Sequence, residues 1–237
     1  MCIRDRCIAV VIAGKIFRLR EFIPLRTIAT KLLDYRVEEE VEEPPNKFNL
    51  ITEITDLDLV GNRVRGVYCK DTLIKITRRR ERVPVIKTIE APFTFTKVNN
   101  EILLTIIGKK NLANMIANEM SKILFLGVGG IVEARIPPEA LRQFHEANPE
   151  ETKVIFFDNV DIPNINKLSL YGPDLKNTAL YAEYLSHGDI WYIVATSKKH
   201  GIIVGITRNC VVTVFSKIDE YTFFKFIEEE VFPLIKF

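Results

Sequence analysis

The densest chemistry in the sequence is the run Lys75-Ile-Thr-Arg-Arg-Arg-Glu-Arg82, with Lys87 a short step beyond. Guanidinium groups crowded at Arg78, Arg79, Arg80 and Arg82 present planar N–H forks that match pairs of phosphate oxygens. Lys198-Lys199-His200 and Arg208 add positive charge further along the chain. Such clusters suit a nucleic-acid backbone, or anionic lipid heads if the chain is tethered to a membrane. The plainer reading is a solvated turn whose charge discourages strand edges from pairing. The site expectation is phosphate, nucleic-acid or lipid-head contact by Lys75, Arg78, Arg79, Arg80, Arg82, Lys87, Lys198, Lys199 and Arg208. Base stacking is not expected, because Trp191 and Tyr192 fall in an apolar stretch that reads as buried sheet.

Other chemistry is sparse. His145, His187 and His200 stand apart from any cysteine or carboxylate at metal-ligand spacing, so neither a metal nor a cofactor is expected. Gly127-Val128-Gly129-Gly130 follows a predicted helix instead of preceding one, the reverse of a phosphate loop. Glu151-Thr152-Lys153, with Asp158 and Asp161 nearby, has the spacing of a metal-dependent nuclease but lacks a strand-borne acid leading into it. Asp174-Leu175-Lys176 opens a predicted helix, Ser169 and Ser186 lack a nucleophile motif, and Cys210 lies in an apolar strand where its thiol is inert.

The elements that must position these groups read as follows. Alternating apolar residues predict antiparallel strands at 51–60, 63–69, 72–77, 83–89, 92–97 and 101–107, with Gly61-Asn62 and Lys70-Asp71 read as turns. Leu112, Met115, Ile116, Met120, Ile123 and Leu124 share one helical face and predict a helix over 110–125. Beyond it come a short helix opened by Pro137-Pro138 and ended by Asn148-Pro149, strands at 153–157 and 167–171, and a helix over 175–187. Strands at 190–196, 201–207 and 210–215 follow, nearly continuous in apolar residues and so expected to be covered on both faces, then a helix from Glu220 interrupted near Pro233. The expected fold is α+β: two antiparallel strand-meander-plus-helix units, with helices packed on the sheets.

The chain has 237 residues and a net charge of +2, which by itself argues for no nucleic-acid or membrane partner. Few cysteines and no Cys-x-x-Cys point to a reducing interior, cytoplasmic or at the cytoplasmic face of a membrane. Abundant Ile, Lys and Glu with a single glutamine, Gln143, resemble the usage of thermophiles. Residues 1–6 resemble a translated sequencing adapter, which makes the chain a metagenomic fragment cut at Cys7. Residues 7–36 then form a truncated segment whose apolar run, 7–13, ends either a buried element or a membrane helix with Lys15, Arg18, Arg20 and Arg26 as its inner flank. Residues 37–47, rich in Glu and holding Pro44-Pro45, read as an acidic linker ahead of units at 48–130 and 131–237. The functional expectation is a non-enzymatic interaction module with a protein partner or a second copy, possible membrane tethering included. Nucleic-acid binding through the basic loops is the alternative, and a hydrolase centred on Glu151, Lys153 and Asp158 comes last.

Overall fold

The computed structural model describes residues 11–148 and 152–237. Over much of that length β-branched and aromatic side chains recur with a period of two, which favours extended chain. In chain order the elements are β1 (Ile12–Leu19), α1 (Leu25–Leu32), β2 (Arg36–Glu43), β3 (Asn46–Val60), β4 (Arg63–Arg78), β5 (Glu81–Val98), β6 (Glu101–Ile107), α2 (Lys110–Phe125), β7 (Ile131–Glu133) and α3 (Pro138–Ala147). They continue with β8 (Thr152–Asp158), β9 (Leu168–Tyr171), α4 (Ala179–His187), β10 (Asp189–Thr196), β11 (Ile203–Thr207), β12 (Val211–Val214) and α5 (Glu220–Phe226).

The expected α+β layout of two separate meander-plus-helix units is overturned. Among the described residues the strands form one antiparallel sheet of twelve, in the order β2-β3-β4-β5-β6-β1-β12-β11-β10-β8-β9, with β7 paired to β1. Strand accounts for 46% and helix for 27%, so the helices are few beside the sheet. The apolar run at 7–13, read as the end of a buried element or of a membrane helix, leads into β1. Its described part, from Ile12, is extended and not helical. Residues 1–6 and the start of that run, through Val10, lie outside the described residues. Among the described residues no helix is long and apolar enough to cross a membrane.

Two compact units divide the chain, Ile16–Val132 and Glu133–Phe237 with the residues up to Lys15. In the first, Phe17, Leu19, Ile28, Leu32, Val64, Tyr68, Phe93, Phe95, Ile102 and Leu104 share a core with Ala113, Ile116 and Met120 of α2. Burying one such Phe or Leu stabilises the unit by about 1.5–3 kcal/mol. α2 spans the residues that its apolar spacing predicts.

The segment expected as an acidic linker is strand β2, paired with β3 from Arg36↔Glu53 to Glu43↔Asn46. Its charge is compensated across the ladder. Lys47 Nζ lies 2.8 Å from both Glu40 and Glu42, Arg36 reaches Glu38 and Glu53 at 2.9 and 2.7 Å, and the Asn49 amide donates to Glu38 at 2.9 Å. Lys70-Asp71 likewise does not turn. The Asp71 carboxylate accepts from the Ile51 N–H at 3.1 Å and the Thr88 hydroxyl at 2.6 Å, so cross-strand partners hold a residue that usually breaks strands. β4 therefore runs on, paired with β5 from Arg63↔Thr96 to Arg78↔Glu81.

In the second unit β8, β9, β10, β11 and β12 pair in antiparallel fashion. Ile155, Phe157, Ile190, Ile193, Ala195, Val204, Ile206, Val212 and Val214 are buried on one face. Phe156, Tyr192, Val194 and Thr207, on the opposite face, are only half-buried, which corrects the expectation of full cover. α4 and α5 begin where side chains satisfy free N–H groups. The Thr178 hydroxyl accepts from Tyr181 at 3.2 Å and the Asp219 carboxylate from Thr222 at 2.8 Å.

Candidate nucleic-acid interface

The β3–β4 ladder ends at Thr52↔Lys70, whereas the β4–β5 ladder continues outward to Arg78↔Glu81. From Asp71 to Arg78 the hairpin runs on as a two-stranded ladder of about 24 Å, at roughly 3.4 Å per residue, and the β2–β3 hairpin extends in the same direction, reaching it through Ile51–Asp71 and Glu43–Lys75. None of its side chains between Cys69 and Glu90 belongs to the core cluster of the unit. Lys75, Arg78, Arg79, Arg80, Arg82 and Lys87 all lie on it, and all are exposed. Cross-strand pairing puts Lys75 and Arg82 toward one face, with Pro84 and Thr77 as their partners. Arg78 and Lys87, opposite Glu81 and Thr72, point toward the other.

The turn itself is Arg79-Arg80, with φ of +48° and +71°. Positive φ at both central positions is the requirement of the mirror-image turn that matches strand twist, and Asn-Gly meets it most cheaply. Holding a non-glycine residue in that region costs about 1–3 kcal/mol. Two arginines occupy it here.

Charge pairing separates the predicted residues. Lys75 Nζ lies 2.6 Å from Glu43 on β2. Lys199 pairs with Glu229 at 2.7 Å, beside His200 at 3.2 Å from the same carboxylate. Arg208 grips Asp158 through two hydrogen bonds of 3.0 and 2.7 Å. Lys198, exposed, donates its backbone N–H to Asn148. Among the described residues no carboxylate engages Arg78, Arg79, Arg80, Arg82 or Lys87. The structure thus brings Lys75 through Lys87 together on one ribbon. Lys198, Lys199 and Arg208 belong to the other unit, and the last two are already neutralised.

The hydrolase set is only partly described. Glu151 lies outside the described residues, Asp158 is occupied by Arg208, and no group of His, Cys, Asp or Glu among the described residues is arranged to hold a metal. Cys210 is buried, and burial pushes its thiol well above the usual range, but it stands just before β12, at φ +54°, and not inside the strand expected from sequence.

Sequence reasoning missed the outer face of β8, β9 and β10. Trp191 and Tyr192 are half-buried there, and both rings meet Phe156, at centroid distances of 5.8 and 5.6 Å. Tyr171, 67% exposed, meets Phe156 edge to face at 5.8 Å. The signal lay in Phe156 and Tyr171 on predicted strands, but only the register brings them together. No protein-family model and no curated protein matches the chain.

Proposed function

We propose that the protein works by binding, and that its β4–β5 ribbon holds nucleic-acid phosphates with Arg78, Arg79, Arg80 and Arg82. The observation that carries this reading is the turn. Unpaired guanidinium groups crowd the end of the β4–β5 hairpin, two of them, Arg79 and Arg80, at backbone positions that cost free energy to fill with arginine. A two-stranded ribbon is also narrow enough to enter the major groove, about 12 Å wide.

Affinity for a short duplex, titrated from about 50 to 200 mM salt, tests it. Each phosphate contact contributes about 0.9 to the slope of log affinity against log salt, so R78Q/R79Q/R80Q/R82Q flattens the slope by about 3–4. Salt-insensitive binding, or an unchanged slope, would overturn the assignment. Vesicles containing phosphatidylserine offer phosphate without bases or grooves; tighter binding to them than to duplex would make the partner a lipid surface.

A second reading, an interaction module for a partner protein or a second copy, is favoured by the apolar residues of the same ribbon. Ile76 is 41% exposed, with Ile74, Val83 and Val85 half-buried on its face, and Ile86, 43% exposed, lies on the other. Sedimentation across a concentration range decides self-association. Cys69 and Cys210 are free, which supports a reducing compartment, the cytoplasm or the cytoplasmic face of a membrane.

A further inference from the structure

We infer that the outer face of β8, β9 and β10 is a stacking platform for single-stranded nucleic acid. The register sets Phe156 opposite Tyr192 and Ser169, and Val154 opposite Tyr171, so these side chains share one face. A register shift between Ile190 and Tyr192 breaks the alternation, so that the successive residues Trp191 and Tyr192 both reach the Phe156 ring. Bulges commonly re-aim side chains in this way. Tyr192 lies across Gly205, where an added Cβ would stand 2.5 Å from its hydroxyl oxygen. Glycine at that position lets the ring lie down on the sheet.

Charge selects the occupant. Lys167 Nζ stands 5.0 Å over the Trp191 ring, and no carboxylate among the described residues pairs with it. The acids nearest in the register are engaged elsewhere: Asp158 with Arg208, and Asp189 with the Asn159 amide at 2.9 Å. A mostly exposed ring, Tyr171, beside half-buried aromatics and a lysine that no carboxylate holds offers what a single strand uses, bases on the rings and phosphate on the lysine. Tyr171, mostly bare at the edge strand, receives the first base, and Trp191 the next once Lys167 swings to the phosphate. A duplex cannot do this, because its bases are already stacked.

Trp191 is the only tryptophan, so its emission reports directly on the platform. The full chain is titrated with oligo(dT) and with a duplex of equal length. Quenching by oligo(dT) and not by duplex is expected. Tyr171→Ala, at a position too exposed to disturb the core, weakens oligo(dT) binding about tenfold. Lys167→Gln lowers the salt slope by about 0.7. Gly205→Ala, which displaces Tyr192, weakens binding while Tyr171→Ala keeps the test independent of folding. R78Q/R79Q/R80Q/R82Q leaves the quenching amplitude intact. No emission change with oligo(dT), a change indifferent to Tyr171→Ala, or emission that follows protein concentration alone, as a second copy would cause, overturns the inference. Loss of the duplex salt slope with quenching preserved removes the ribbon assignment alone, and the converse removes the platform alone.

Discussion

Arg79 and Arg80 occupy positions where asparagine and glycine fit at lower cost, and that conflict is measurable. R79N/R80G relieves two left-handed arginines and is expected to raise unfolding free energy by about 1–2 kcal/mol in urea. The same variant weakens duplex binding and flattens its salt slope by about 2. Gain in one and loss in the other mark a residue pair kept for contact; stability and binding lost together would mean that the arginines serve the fold. His145 makes a second residue-scale case. It is buried against Tyr181, with ring centroids 4.9 Å apart, and burial pulls its imidazole down to about 4, with Glu146 opposing and Lys176 adding to that shift. Between about pH 6.5 and 4 the unfolded chain therefore binds a proton that the folded one refuses. Stability from this group is complete above pH 6.5 and is lost as pH falls toward 4, by up to about 3 kcal/mol. Urea midpoints across that range test it, and His145→Gln flattens the profile.

At the scale of elements, the β4–β5 ribbon is separable from the core that supports it. Tyr68 and Ala91 are the core members nearest its tip, and no core residue lies between them along the hairpin. Replacing residues 73–86 by Asn-Gly is therefore expected to leave the thermal midpoint within a few degrees while abolishing duplex binding. A collapse of the midpoint would show that the ribbon braces the unit. The basic residues of this element were legible in sequence, because charge density needs no register to be seen. Its length was not. Lys70-Asp71 reads as a turn locally, and only Ile51 and Thr88, distant in sequence, make Asp71 a strand residue. The aromatic face escaped for the same reason. Period-two reading assigns Trp191 and Tyr192 to opposite faces, and the bulge between β8 and β10 brings both to Phe156.

Across the whole molecule a net charge of +2 conceals local separation. β2 gathers Glu38, Glu39, Glu40, Glu42 and Glu43, while the neighbouring hairpin gathers arginine. Composition alone left this invisible and suggested a linker, since five glutamates near two prolines cannot form a core face. They form a strand because an edge strand needs none. β2 stands at one end of the strand order, exposed along nearly all its length. Its unpaired backbone edge is a template for another chain, and ionised carboxylates are what keep copies apart. Asn49 and Arg36 hold the Glu38 carboxyl below its usual range, so that charge persists until the solution turns distinctly acid. The consequence is colloidal. In solution acid enough to discharge Glu38, light scattering should grow with protein concentration while the secondary structure persists, and it should reverse on neutralisation. Added salt at neutral pH, which screens without discharging, should produce a weaker version of the same clouding.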